Sequence, residues 1–116
     1  MTYLVVLNDP PYGTERSCNG LRLANSLAKA GDNTVSVFLL GDAVWCGMVG
    51  QTTPDGYYSI ERMLKVLASK KGKVGVCGSC MDARVLKPES LVQGARRRML
   101  EELSAWTQEA DKVIVF

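Results

Sequence analysis

The 116-residue sequence predicts an α/β fold, helices sandwiching a parallel sheet, in a single domain over residues 1–116. Three observations carry this. Strand-like and helix-like patterns alternate from end to end, as in proteins built on parallel sheets. The strand-like stretches are continuous apolar runs, which suit strands buried on both faces. The composition, 47% hydrophobic and 22% charged, belongs to a folded chain of one-domain size.

Taken in order, Tyr3–Leu7 (YLVVL) reads as a first strand, ended by Asn8-Asp9-Pro10-Pro11. Ser17–Ala30 reads as a helix with Leu23, Ala24, Leu27 and Ala28 on one face, stopped by Gly31. Thr34–Leu40 (TVSVFLL) is rich in β-branched residues and reads as a second strand, closed by Gly41-Asp42. Ser59–Ser69 places Ile60, Met63, Leu64 and Leu67 at helical spacing. Lys73–Val76 is a short third strand. Met99–Ala110 reads as a helix with Leu100, Leu103 and Trp106 or Thr107 inward, and Lys112–Phe116 (KVIVF) as a closing strand. Each crossover is expected to be right-handed.

The composition also narrows function. The net charge of +2 is too mild to point to nucleic acid or to a membrane surface. Apolar stretches such as residues 35–40 are far shorter than the roughly 20 residues a membrane span needs. The start reads as a strand and not as a signal peptide, so a cytoplasmic, reducing location without structural disulfides is expected. There is no histidine, which removes Ser-His-Asp and Cys-His schemes.

In a parallel sheet, function gathers beyond the carboxyl ends of the strands. Three connections leave such ends: Asn8–Arg16, Gly41–Tyr58 and Cys77–Pro88. The second carries Trp45, Met48 and Val49, apolar groups that an oligomer contact would cover. The third begins with Cys77-Gly78-Ser79-Cys80, followed by Asp82 and Arg84.

On the residues alone, four readings of this pair stay open. A zinc site needs four ligands, and only Cys18 and Cys46 remain to complete it, with no second CxxC. A redox dithiol has suitable local grammar, a strand before the pair and a helix after it. However, the order of elements is not that of thioredoxin, and no proline is placed to face the pair. A sulfur carrier needs only a partly ionised, accessible thiol and no cofactor. The amides of Gly78, Ser79 and Cys80 would favour the anion, as would Arg84, while Asp82 would oppose it. Packing is the fourth reading, since free cysteine is among the most buried residue types; it is preferred for Cys18 and Cys46.

Asp82 and Arg84 are candidate site residues, or a surface pair with each other. Tyr12 either reaches the cysteine loop or packs on the sheet end. Arg96-Arg97-Arg98, at the expected start of the last helix, reads as a solvated run, and nucleic-acid binding is not expected.

Several segments in order resemble the DsrE/DsrF-like family, in its branch of small single-domain proteins. They are Pro11-Tyr12-Gly13, Leu21-Arg22-Leu23-Ala24, Asp42-Ala43-Val44, Gly47 with Gly50-Gln51, and Gly56-Tyr57. Cys77-x-x-Cys80-x-Asp82-x-Arg84 follows, then Trp106-Thr107-x-x-Ala110-Asp111-Lys112-Val113. Together they cover essentially the whole chain. The resemblance implies a three-layer sandwich around a parallel five-stranded sheet, and a homo-oligomer, a trimer or hexamer. It implies a sulfur carrier working between donor and acceptor proteins, with the persulfide on Cys77, which matches the family's sulfur-bearing cysteine by its distance to Arg84. Cys80 is the additional cysteine of this branch. The chain departs from the family pattern after the arginine, where Val85 replaces glycine. Valine resists the positive φ that glycine allows, so a differently shaped turn is expected there.

Overall fold

The computed structural model describes residues 1–116. Five strands form one sheet: β1 (Thr2–Leu7), β2 (Thr34–Leu39), β3 (Val74–Cys77), β4 (Ala95–Arg98) and β5 (Lys112–Val115). The order across it is β4-β3-β2-β1-β5, and every pairing is parallel. The helices are α1 (Arg16–Lys29), α2 (Ile60–Ala68), α3 (Gly78–Ala83) and α4 (Leu100–Glu109). Gly41–Gly47 and Pro88–Ser90 are short 3-10 segments.

The chain steps from β1 to β4 in one direction across the sheet, so right-handed crossovers put α1, α2 and α3 on one face. It then runs back over three strands from β4 to β5, which puts α4 on the other. Two faces covered by helices explain why β1, β2 and β3 are written as unbroken apolar runs. Their residues Leu4–Leu7, Val35–Leu39 and Val74–Cys77 are all buried. On the α4 face, Trp106 meets Phe38 edge-on at 5.6 Å between ring centroids. Gly75 makes room for that contact, because a Cβ there would lie 2.9 Å from Phe38 and 3.0 Å from Trp106.

Four expectations are corrected. Arg96–Arg98 does not open a helix; it is the body of β4, an edge strand paired only with β3. Arginines suit an unpaired edge, where charge discourages further strand addition. The inward face of α1 is set by Ser17, Cys18, Gly20, Leu21 and Ala24, leaving Leu23 exposed. In α4 only Trp106 is buried, and Leu100 points to solvent. The third strand extends one residue beyond Val76 and takes in Cys77.

Candidate functional site

Cys77 is at once the last residue of β3 and the residue that caps α3, so the CxxC motif is a strand-to-helix junction and not a loop. Cys80 lies in the first turn of α3. Cys77 is only 5% exposed, and Cys80 is half-buried. β3 is held by β2 on one side and β4 on the other, which fixes the Cys77 backbone through its pairing with Arg98.

The two thiols are polarised in opposite directions. Burial would raise the pKa of Cys77, but hydrogen bonds outweigh it. The Ser79 hydroxyl, whose oxygen lies 3.4 Å from the sulfur, contributes most, followed by the backbone N–H and thiol of Cys80 and the N–H of Ser79. The net effect holds Cys77 below the ordinary thiol value. Cys80 goes the other way: burial and its hydrogen bond to Cys77 raise it, despite the Gly41 N–H donated to its sulfur at 3.3 Å. The arrangement therefore favours ionisation of Cys77 before Cys80.

Two arginines hold α3 in place. Arg84 donates from Nε and Nη2 to Asp42 Oδ1 at 3.1 and 2.9 Å, and from Nη1 to the Cys80 carbonyl at 3.1 Å. Arg97 donates to both carboxylate oxygens of Asp82 at 2.7 and 2.9 Å, and to the Gly78 carbonyl at 2.9 Å. Asp82 and Arg84 thus take separate partners instead of pairing with each other. Asp82 does not face the Cys77 thiolate as a free charge, because Arg97 neutralises it and holds its carboxyl below the usual range.

The turn after Arg84 keeps the shape that glycine would give it. Val85 adopts φ +57, the left-handed region. Its N–H bonds to the Asp82 carbonyl at 3.1 Å, and the Leu86 N–H to the Met81 carbonyl at 3.0 Å. This is the Schellman pattern, with the left-handed residue in the position usually held by glycine. The expectation of a different turn is therefore corrected. Buried Leu86 and Met81 anchor the turn, and Val85 accepts the strain with its side chain 78% exposed.

Tyr12 is not brought to the cysteines. Its hydroxyl donates to Gln51 Oε1 at 2.7 Å and accepts the Ile60 N–H at 3.1 Å. Its ring stacks on Tyr58 at 5.8 Å. With Pro10, Pro11, Trp45, Met48 and Gln51 it lines a shallow cleft of ≈ 520 Å³ beyond the ends of β1 and β2. Gln51 ties the long connection together, donating to the carbonyls of Cys46 and Met48 and accepting the Glu61 N–H. Trp45 and Val49 remain 42% and 50% exposed, while Met48 is half-buried.

Cys18 is buried in α1, and Cys46 in the 3-10 segment after β2. Burial pushes the Cys46 thiol up to about 12. No three Cys, Asp or Glu side chains converge as metal ligands would, and no helix is long and apolar enough to cross a membrane.

Sequence reasoning missed Ser79 as a side-chain donor, Gly41 as the partner of Cys80, and Arg97. Asp42 stood in a quoted motif without a role. Asp42 and Arg97 are 42 and 15 residues from their partners, so local spacing carried no signal for either pairing.

Comparison with known proteins agrees with this architecture. The sequence model of the DsrE/DsrF-like family matches residues 1–116. The chain is 39% identical over 114 residues to the protein YchN of Escherichia coli K12, covering 97% of each. It is 34% identical over 116 residues to a protein of Methanocaldococcus jannaschii, covering 100% of both. The crystal structure of the E. coli ychN protein superposes with a TM-score of 0.90 at 36% identity, covering 100% of both chains. A protein from Methanobacterium thermoautotrophicum shares the fold at a TM-score of 0.73 and 13% identity.

Proposed function

The chain belongs to the DsrE/DsrF-like family, and from that premise we propose that it is a sulfur carrier that holds a persulfide on Cys77. The observation that carries this reading is the placement of Cys77 at the junction of β3 and α3 with the Ser79 hydroxyl 3.4 Å from its sulfur, an arrangement that draws Cys77 toward thiolate while Cys80 stays a thiol. An ordinary thiol, with a pKa of about 8.5, is only a few per cent ionised at neutral pH. Lowering that value at Cys77 supplies the nucleophile without a histidine or a metal.

In the proposed step the Cys77 thiolate attacks the outer sulfur of a donor persulfide. A new S–S bond forms on Cys77, the donor's S–S bond breaks, and the donor leaves as a thiolate. The terminal sulfur keeps its proton and no external oxidant is consumed. Transfer to an acceptor thiolate repeats the exchange in reverse. Cys80, holding its proton, assists by hydrogen-bonding the anion. Arg84 fixes Cys80, and Asp82 anchors α3. Tyr12 shapes the cleft wall where a partner protein would bind. The carrier is proposed to act in the cytoplasm as a homo-oligomer, a trimer or hexamer, in which the exposed Trp45 and Val49 are covered.

Cys77 is nearly enclosed, with 5% of its surface exposed. A second reading, a thiol–disulfide redox dithiol, is favoured by the same polarised pair. A third, an oligomeric binding module with inert cysteines, is favoured by the burial of Cys77. One experiment separates them: incubation with a cysteine desulfurase and cysteine, followed by intact mass. Sulfur transfer predicts a gain of one sulfur atom that Cys77→Ser abolishes. No gain with a reversible Cys77–Cys80 disulfide would favour the redox reading. No gain with both thiols refractory to alkylation would leave only the binding module.

A further inference from the structure

Arg97 stands outside the CxxC motif and outside the catalytic step proposed above, yet it makes three hydrogen bonds to the short helix beside Cys77. It is placed by β4, where it pairs in register with Val76, one residue before Cys77. From there its guanidinium spans α3 from Gly78, where it takes the carbonyl, to Asp82, where it takes both carboxylate oxygens. Such a planar fork fixes orientation as well as distance. Gly78 makes the approach possible. A Cβ there would lie 2.8 Å from Arg97 Cζ and 3.0 Å from both Nε and Nη2, so a larger residue would push the guanidinium off its present seat.

We propose that Arg97 is a positioning residue for the Cys77 thiol: by gripping Gly78 and Asp82 it holds α3 where the Ser79 and Cys80 donors meet the Cys77 sulfur. Ser79 and Cys80 lie between the two gripped residues, so a shift of α3 moves all of these donors together. The hydrogen bonds to Asp82 keep Arg97 firmly cationic. The consequence for sulfur transfer rests on the persulfide reading; the consequence for the ionisation of the thiol does not.

The test reads thiolate directly. The ultraviolet thiolate absorbance is titrated against pH for the wild type, Arg97→Met, Arg97→Lys and Asp82→Asn. Each protein is compared with its own Cys77→Ser and Cys80→Ser versions, and the first thiol midpoint, which Cys77→Ser removes, is read as that of Cys77. The Cys77 midpoint is expected to rise in Arg97→Met and to be partly restored in Arg97→Lys, which keeps the charge but loses the fork. Asp82→Asn discriminates the mechanism. Removing a nearby negative charge would lower the midpoint if charge alone mattered, whereas loss of the grip raises it. The Asp82→Asn titration also stands alone if Arg97→Met fails to fold.

Persulfide loading at neutral pH should slow by about threefold for each pH unit of rise, because the tenfold loss of thiolate is partly offset by its greater nucleophilicity. An unchanged midpoint in folded Arg97→Met, or a lowered one in Asp82→Asn, would overturn the proposal. Failure of the wild type to load sulfur, with the midpoint shifts intact, would sink the carrier reading and leave the clamp standing.

Discussion

Replacing Val85 with glycine is expected to stabilise the fold by about 1 kcal/mol. The perturbation is confined to the backbone, because the valine side chain is 78% exposed and removing it forfeits little burial. A residue with a Cβ pays roughly 1–2 kcal/mol in the left-handed region, and a β-branched one sits toward the upper end. Against this, glycine loosens the unfolded chain by about 0.4–1 kcal/mol. The difference remains in favour of glycine, since φ is +57 and both hydrogen bonds of the turn come from the backbone. Urea unfolding at one fixed protein concentration measures it. With a slope of about 2 kcal/mol per molar, the midpoint should rise by about 0.5 M. Val85→Ala, which removes the branch and keeps the Cβ, should gain less. A midpoint for Val85→Gly at or below the wild type, at equal slope, would refute the reasoning.

Other consequences can be checked with single substitutions. Ser79→Ala removes the strongest hydrogen bond to the Cys77 sulfur and should raise its thiolate titration midpoint while leaving the fold intact by circular dichroism. Gly72→Ala should cost about 3 kcal/mol in the same urea assay, because a Cβ there would meet the Val35 carbonyl oxygen at 1.6 Å. Cys46 should make the fold sensitive to alkali. Its thiol ionises from 9.0 in the unfolded chain but only near 12 in the fold, so across that window the unfolded chain releases a proton that the folded one retains. Its contribution to stability is full below 9.0 and falls as pH rises, by at most about 1.4 kcal/mol per unit. The unfolding free energy of Cys46→Ala, followed over the same pH range, should fall less steeply than that of the wild type.

What could be read in the sequence follows from how each element is buried. β1 and β2 lie inside the sheet, and YLVVL and TVSVFLL record it without interruption. β4 lies at an edge and is made of Ala95 and three arginines, so it has no apolar pattern. α3 is six residues long, too short for a helical period to register. The position of Cys77 at the carboxyl end of a strand was legible to within one residue, because chain order fixes it. Its environment was legible only in part: Ser79 and Cys80, which favour its thiolate, lie in the motif itself, whereas the Gly41 N–H on the Cys80 sulfur and the Arg97 grip on Gly78 and Asp82 are joined to it only by the fold. Asp82 and Arg84 invited a local pairing that helix geometry disfavours, since residues two apart do not face each other. Val85 shows the limit of a local preference, since the buried neighbours Met81 and Leu86 hold the turn against it.

The most direct test of the central claim is to locate the transferred sulfur. The wild type, Cys77→Ser and Cys80→Ser are loaded with a desulfurase, the persulfides are trapped by alkylation, and the modified peptide is sequenced by mass spectrometry. The account predicts one extra sulfur on Cys77 in the wild type, none in Cys77→Ser, and slower loading still at Cys77 in Cys80→Ser. Sulfur found on Cys80 in the wild type, or undiminished loading of Cys77→Ser, would contradict it.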